Sequence, residues 1–303
     1  MTLLVHHPVC LEHDTGPDHP ESDRRLYAVL AALDESFPML PRAEAPRVTR
    51  EQLLRVHPAT HIDAILKQVP ESGRVSLDPD TWMSPSTGEA ALRSAGAAAY
   101  AVQAVLTGEH DTVFCATRPP GHHAEPTRAM GFCFFNNIAV AARQALASGL
   151  GRVAVLDFDV HHGNGTQAVF WNDPDVLYAS THQYPGYPWT GASGETGVGN
   201  IINRPLAPGS ASEPFRDAWT GILEALAAFR PEMVLVSAGF DGHRLDPLAD
   251  LNLETEDFAW LTGQIRNFAR DCCEGRVVSL LEGGYDLESL TESVVAHVSA
   301  LNT

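Results

Sequence analysis

The sequence predicts an α/β fold, a single domain whose mostly parallel sheet carries helices on both faces. Short apolar, β-branched stretches such as residues 153–156 alternate with stretches of helical period along the second half of the chain. The chain has 303 residues, 44% of them hydrophobic, which is enough for one large core. We see no repeat, low-complexity tract or linker, and therefore expect residues 1–303 to form one domain.

The first half of the chain is predicted to be mainly helical. A short strand at residues 3–5 precedes a polar loop, and a helix runs from Ser22 to about residue 33. Residues 49–52 match a capping box that begins a second helix, and Thr60 is expected to cap a third. The Ala-rich residues 87–106 predict a long helix, in which the small side chains allow close packing.

From residue 112 onwards, strands and helices are predicted to alternate. Strands are expected at residues 112–116, around 153–156, and at 176–181, 201–206, 233–237 and 277–281. Helices are expected at about 136–147, 166–171, 213–229 and 256–272, and a last helix closes the chain. Ligands bind beyond the carboxyl ends of parallel strands, so polar residues that follow successive strands should meet at one edge of the sheet.

The clearest chemical motif follows the strand at residue 153. Asp157 and Asp159 are two residues apart and point the same way in an extended chain, and His161 follows two residues later. Two carboxylates and an imidazole without a thiolate suit Zn²⁺, although Fe²⁺ and Co²⁺ accept the same ligands. The motif therefore predicts a divalent-metal site.

Three other polar motifs follow three other predicted strands. His122 and His123 come after a rigid Pro-Pro-Gly turn, and Tyr285 comes after two glycines, which allow a ligand to approach the backbone closely. In the loop from Asp241 to Asp246, Asp246 is either a third metal ligand or a turn residue. Four such motifs at one end of a sheet predict a shared active site.

Composition narrows the functional classes. The formal net charge of −18 disfavours binding to nucleic-acid phosphates. No apolar run approaches the roughly 20 residues that span a bilayer, and the first residues are too poor in apolar side chains for a signal peptide. The five scattered cysteines, without Cys-x-x-Cys, predict reduced thiols in a cytoplasm. We expect neither nucleic-acid nor membrane partners, and the sequence leaves the oligomeric state open.

Taken together, the motifs resemble those of the histone deacetylase superfamily. The motifs are Arg-Pro-Pro-Gly-His-His-Ala, Asp-Phe-Asp-Val-His-His-Gly-Asn-Gly, Gly-Phe-Asp-Gly-His-Arg-Leu-Asp-Pro-Leu and Leu-Glu-Gly-Gly-Tyr. The closer resemblance is to the class II-like branch, which includes bacterial histone deacetylase-like amidohydrolases and acetylpolyamine amidohydrolases. It implies an arginase/deacetylase-like fold and a zinc-dependent amidohydrolase that removes acetyl or other acyl groups from small-molecule or peptide amines such as acetyl-lysine.

The resemblance also implies roles for individual residues. The implied ligands of one catalytic Zn²⁺ (or Fe²⁺) are Asp159, His161 and Asp246. Asp157 would orient His122, and His123 would pair with Asn164, where many relatives have Asp. A carboxylate partner favours an imidazolium and an amide partner does not, so we expect His122 to stabilise charge and His123 to be the general base. Tyr285 would hold the oxyanion together with the metal.

A substrate channel and a structural K⁺ site are implied as well. The channel would be lined by Gly131, Phe132 and Tyr187, and Asp80 would orient the substrate backbone. The first K⁺ site would involve Asp157, Asp159, His161, Ser180 and Thr181. A second would lie near Phe170, Asp173 and Val176.

Two alternatives remain at this point. An acetylpolyamine amidohydrolase needs carboxylates at the channel mouth, and the candidates are Glu21, Asp78, Asp80 and Glu195. A non-catalytic protein that binds acylated lysine belongs to a different class. The complete metal set and Tyr285 favour an enzyme over a binder.

Overall fold

An eight-stranded, wholly parallel sheet forms the centre of the protein in a computed structural model that describes residues 1–303. Its strands are β1 (Leu3–His6), β2 (Arg42–Glu44), β5 (Thr112–Cys115), β6 (Val153–Asp157), β7 (Val176–Gln183), β8 (Ile201–Leu206), β9 (Met233–Ala238) and β10 (Val277–Leu281). Their spatial order is β2-β1-β5-β10-β9-β6-β7-β8. Two short strands, β3 (Val75–Ser76) and β4 (Trp82–Met83), form a separate antiparallel pair.

Helices cover both faces of the sheet, as the sequence predicts. They are α1 (Asp23–Ser36), α2 (Arg50–Leu54), α3 (Ala59–Gln68), α4 (Thr87–Leu106), α5 (Asn137–Ala147), α6 (Asn164–Phe170), α7 (Ser212–Phe229), α8 (Thr255–Cys272) and α9 (Leu287–Asn302), with a 3₁₀ turn at Pro8–Leu11. Helices α2 to α6 contribute to the core on one face, and α1, α7, α8 and α9 to the core on the other.

The two cores follow from side-chain alternation along the strands. In β6, Val153 and Val155 join the core on the α4–α5 side, while Ala154 and Leu156 join the core on the α7–α9 side. All four side chains are buried. A strand that is apolar on both faces is stable only between two layers of helices, which is why this run predicted a covered parallel sheet.

Local signals set several helix boundaries. The Thr49 hydroxyl accepts from the Gln52 N–H and the Gln52 side chain accepts from the Thr49 N–H, which is the predicted capping box of α2. The prediction that Thr60 caps the next helix is wrong, because α3 begins at Ala59 after Pro58. Pro58 lacks an N–H and has a fixed φ, so the chain enters the helix one residue before Thr60.

The strand order places the four polar motifs side by side. Strands β5, β10, β9 and β6 are consecutive neighbours in the sheet. The histidine pair follows β5, Tyr285 follows β10, Asp241 follows β9, and Asp159 follows β6. All four loops therefore leave the sheet at the same edge, as expected for carboxyl ends of parallel strands.

No helix has both the length and the apolar character needed to cross a membrane. All five cysteines are free thiols, and Cys272 is the exposed one.

Candidate active site and metal centre

Two carboxylates and one imidazole converge at the centre of this edge. The Nδ1 atom of His161 lies 3.1 Å from Oδ1 of Asp159 and 3.1 Å from Oδ2 of Asp241. Backbone N–H groups fix both carboxylates, since Gly283 donates to Asp159 and Val160 donates to Asp241. The three side chains form a cluster in which one ligand atom from each lies within 4.8 Å of the others.

The charge of this cluster fits a cation. A single imidazole N–H faces two buried carboxylates, so acceptors outnumber donors at the point where the side chains meet. Burial alone lowers the pKa of His161, but hydrogen bonds to Asp159 and Asp241 outweigh this and raise the pKa to about 10. Three N and O donors without a thiolate suit a catalytic Zn²⁺ site, which keeps a position free for water and substrate.

Glycines make room for the cluster. A Cβ atom at Gly239 would lie 2.0 Å from Oδ2 of Asp159, and one at Gly283 would lie 2.1 Å from Oδ2 of Asp241. Side chains cannot approach this closely, so the turns after β9 and β10 must be glycine for the two carboxylates to meet.

Asp246 is not part of the cluster, and this corrects the predicted ligand set. One oxygen of Asp246 accepts from the Leu248 N–H at 3.0 Å, which is an Asx turn around Pro247. The other accepts from the Tyr285 N–H at 2.7 Å. Asp246 therefore shapes the loop and the backbone of Tyr285, and Asp241 stands where the sequence analysis expected Asp246.

His122 lies beside a carboxylate pair. Its Nδ1 is 3.1 Å from Oδ2 of Asp157, and its Nε2 is 3.8 Å from Oδ1 of Asp159. The Tyr178 hydroxyl donates to the same Asp157 oxygen at 3.1 Å. Burial lowers the pKa of His122, but Asp159 and Asp157 outweigh it and raise the pKa well above 6.5. His122 is thus a cation in this environment.

His123 has a different environment although it is the next residue. Its Nδ1 lies 2.8 Å from Oδ1 of Asn164, the predicted partner at the start of α6. Burial has the largest effect on the pKa of His123, and the charges of the neighbouring His122 and His161 add to it. Together they lower this pKa well below 6.5. The pKa values of the two adjacent histidines are therefore shifted in opposite directions, as expected from their partners.

Glu282 is a buried residue to which the sequence analysis gave no role. It accepts from the Gly121 N–H at 2.7 Å and the His122 N–H at 3.3 Å, and from the Ser237 hydroxyl at 3.1 Å. Burial raises its pKa to about 7. Glu282 fixes the turn that carries the histidine pair. In the sequence, only its position directly before Gly283 indicated that it belongs to the site.

Tyr285 is held at the rim of the cluster. Arg25 donates to the carbonyls of Glu282 and Gly284, and its guanidinium lies 4.8 Å from the centre of the Tyr285 ring. Burial raises the pKa of Tyr285 well above 10, so its hydroxyl keeps its proton and can donate it in a hydrogen bond.

The predicted channel residues meet in one narrow pocket. Its lining residues are Asp80, His123, Gly131, Phe132, His161, Tyr187, Leu248 and Tyr285. Its volume of about 170 Å³ is below the roughly 300–1,000 Å³ of pockets for drug-sized ligands, so it fits an extended side chain better than a bulky one. A Cβ at Gly131 would lie 2.5 Å from the His123 ring, which explains the glycine at this wall.

Three of the four carboxylates suggested for the channel mouth do not line the pocket. Glu21 is fully buried in ion pairs with Arg118 and Arg25. Glu195 accepts from the backbone of Gly191 and Ala192, and Asp78 accepts from the backbone of Asp80 and Thr81. Of the four candidates, only Asp80 lines the pocket.

The residues expected around each K⁺ are neighbours in the structure. Asp157 pairs in register with Ser180 across β6 and β7. At the second place, Nδ2 of Asn200 lies 2.8, 2.9 and 2.8 Å from the carbonyl oxygens of Phe170, Asp173 and Val176. The three predicted residues therefore turn their carbonyl oxygens to one point, and the second K⁺ site stays a prediction.

Comparisons with known proteins agree with this geometry. The family model of the histone deacetylase domain matches residues 19–301. A histone deacetylase-like amidohydrolase from Pseudomonas aeruginosa is 44% identical over 94% of this chain and 81% of its own length. The chain belongs to the histone deacetylase family. The family's sequence motifs are therefore those that the structure gathers at one edge of the sheet.

Two other relatives extend the family assignment. A probable deacetylase from Archaeoglobus fulgidus is 37% identical over 95% of this chain and 82% of its own length. The crystal structure of the HDA15 HD domain superposes with a TM-score of 0.93 at 34% identity, and covers 99% of this chain and 91% of that one. The arginase/deacetylase-like fold is thus confirmed for this member of the family.

Proposed function

We propose that the protein is a metal-dependent amidohydrolase that removes acetyl or other acyl groups from amines such as acetyl-lysine. One observation carries the proposal: His161 of the Asp159–His161–Asp241 cluster, His123 with its lowered pKa, and Tyr285 line one narrow pocket. The names of the relatives, deacetylases and an amidohydrolase, support the same reaction class.

A cation held by Asp159, His161 and Asp241 would polarise the amide carbonyl and lower the pKa of water in the site. Zn²⁺ suits the donors best, and Fe²⁺ accepts them too. His123 takes a proton from the attacking water and returns it to the leaving amine. His122, as a cation, stabilises negative charge without moving a proton.

Tyr285 completes the site. Its hydroxyl donates to the carbonyl oxygen as negative charge develops there, because its raised pKa keeps it protonated. Asp80 lines the pocket wall, and in this proposal its carboxylate accepts from the backbone N–H of a peptide substrate. A structural K⁺ near Asp157, Ser180 and Thr181 would be separate from this chemistry.

The geometry favours acetyl-lysine over acetylpolyamines. A polyamine carries further ammonium groups beyond the amide, and these require carboxylates around the entrance. Of the four candidate carboxylates, only Asp80 lines the pocket. Glu21 is buried in ion pairs with arginines, Glu195 accepts from backbone N–H groups of its own loop, and Asp78 accepts from the backbone of Asp80 and Thr81.

The decisive experiment measures hydrolysis of an acetyl-lysine peptide and of N-acetylputrescine by Zn²⁺-loaded protein, with chelator-treated protein as control. We expect turnover of the peptide, loss of activity on chelation, and recovery with Zn²⁺. Tyr285→Phe should lower kcat by on the order of 10²–10³, because one oxyanion donor is lost. A metal-loaded protein that binds the peptide without cleaving it would instead support the acyl-lysine binder.

A further inference from the structure

Glu125 is a carboxylate on the far side of the partner of His123. It lies on the turn that follows the histidine pair and is partly buried. Its Oε1 lies 2.8 Å from Nδ2 of Asn164, while Oδ1 of the same amide lies 2.8 Å from Nδ1 of His123. The three side chains therefore form a row that runs from the pocket to a surface groove that Glu125 and Asn164 line.

Asn164 is the middle residue of this row, and its contact with His123 does not by itself fix the orientation of its side-chain amide. An asparagine amide can rotate by half a turn and present either its oxygen or its NH₂ group to a neighbour. If the oxygen faces His123, Nδ1 must carry the ring proton and Nε2 keeps its lone pair. If the NH₂ group faced His123, Nδ1 would have to accept, and the ring proton would lie on Nε2, so the ring could not accept a proton from water there.

Glu125 removes this ambiguity. A carboxylate only accepts, so the Asn164 NH₂ group must face Glu125 and its oxygen must face His123. The Sδ atom of Met130, 3.4 Å from the same amide nitrogen, is a second and weaker acceptor on that side. A family member with Asp in place of Asn164 has no such ambiguity, because both carboxylate oxygens accept.

We propose that Glu125 is a positioning residue that fixes the Asn164 amide and thereby holds His123 in the Nδ1–H tautomer. The proposal rests on the proposed hydrolysis, in which His123 accepts the proton of water. Glu125 touches neither the pocket nor the substrate and acts through Asn164 alone.

The test compares kcat and KM of metal-loaded Glu125→Ala and Glu125→Gln on the acetyl-lysine peptide. Residues that orient metal-ligating histidines typically contribute on the order of 10- to 100-fold, and we expect a similar loss in kcat for Glu125→Ala with little change in KM. Glu125→Gln should recover much of the loss, since its amide oxygen can still accept from Asn164. Arg128→Ala, an exposed residue on the same turn, should match the wild type.

The same substitution in an Asn164→Asp variant shows whether Glu125 positions the amide or only stabilises the fold. In Asn164→Asp the partner of His123 accepts in either orientation, so adding Glu125→Ala should cause no further loss and should remove a repulsion between two carboxylates. An equal loss of kcat in both backgrounds would show that Glu125 acts through general stability, and an unchanged kcat in Glu125→Ala would overturn the proposal outright.

The tautomer itself can be observed without turnover. Nitrogen-15 NMR of labelled, metal-loaded protein distinguishes Nδ1–H from Nε2–H histidines, and His123→Gln assigns the signal. We expect the Nδ1–H form in the wild type and a mixture in Glu125→Ala. If the wild type shows no hydrolysis, the proposed function fails, while the same spectra still decide the role of Glu125.

Discussion

Two aspartates in one loop have different tasks, and this difference can be tested at the residue scale. Asp241 faces His161 and Asp159, whereas Asp246 accepts from the backbone N–H groups of Leu248 and Tyr285. We expect Asp241→Ala to lose the bound metal, because two donors cannot hold it tightly. Asp246→Ala should keep the metal but lower kcat, since the Tyr285 backbone loses its acceptor. Metal content after dialysis, measured beside peptide turnover, checks both.

The reverse result would restore the original ligand assignment. Metal loss from Asp246→Ala with full occupancy in Asp241→Ala would mean that the loop rearranges when the ion binds.

The sequence predicted most of this site because its residues stand directly after strands. Asp157, Asp159 and His161 follow an apolar run. Their two-residue spacing and their place at the end of a strand were therefore enough to predict a metal site. The third ligand was misassigned because spacing in an irregular loop does not show which carboxylate turns inward. Distance from the strand was a usable signal, since β9 ends at Ala238 and Asp241 is the nearer aspartate.

Glu125 could not be found in the same way. A glutamate in a polar loop is usually a solvated charge, and nothing in its neighbourhood marks a partner 39 residues away. Its role depends on a tertiary contact with the first residue of α6, which only the assembled fold provides.

At the scale of elements, helix α4 shows how closely this fold packs. A Cβ at Gly96 would lie 1.9 Å from the Pro46 carbonyl oxygen and 2.7 Å from the Val48 nitrogen. Small residues along α4 let the helix contact the backbone of the segment before α2. The Ala-rich sequence predicted close packing, but the contacted segment has no pattern of its own and could not be predicted.

Two glycine substitutions test this contact. Gly96→Ala should lower the free energy of unfolding by about 1–3 kcal/mol or more, because backbone atoms must move. Gly221→Ala in α7, where a Cβ meets nothing within 4 Å, should raise it by about 0.5–1 kcal/mol through helix propensity. Urea unfolding of both variants measures these changes. Equal effects of the two substitutions would contradict the packing argument.

At the scale of the whole molecule, neutral histidines are buried in the helical layers on both faces of the sheet. They predict that the free energy of unfolding falls in acid. Burial lowers the pKa of His297 to about 3 and that of His57 to about 4. His297 is bonded to the Thr262 and Ser279 hydroxyls, which join α8 and β10 to α9. The unfolded chain binds these protons near pH 6.5, so their stabilising effect is complete above that pH and is lost as the pH falls towards 3.

The expected size of this effect is measurable. From pH 7 to pH 5, each such histidine should reduce the free energy of unfolding by about 2 kcal/mol, at about 1.4 kcal/mol per pH unit. His297→Gln should therefore lose about 2 kcal/mol less than the wild type over this interval. Urea unfolding at both pH values makes the comparison, and identical pH dependence in the two proteins would show that the pKa of His297 is not lowered in the native state.

The strand order has a consequence for how the protein comes together. Strand β10 is the last strand in sequence, yet it lies between β5 and β9 in the middle of the sheet. Without residues 277–281, the facing edges of β5 and β9 would lack their hydrogen-bond partners, and the loops that follow these strands would not be neighbours. The four loops of the catalytic edge can therefore meet only when the last strand of the sequence is paired on both sides, so the removal of residues 277–281 should abolish activity rather than reduce it.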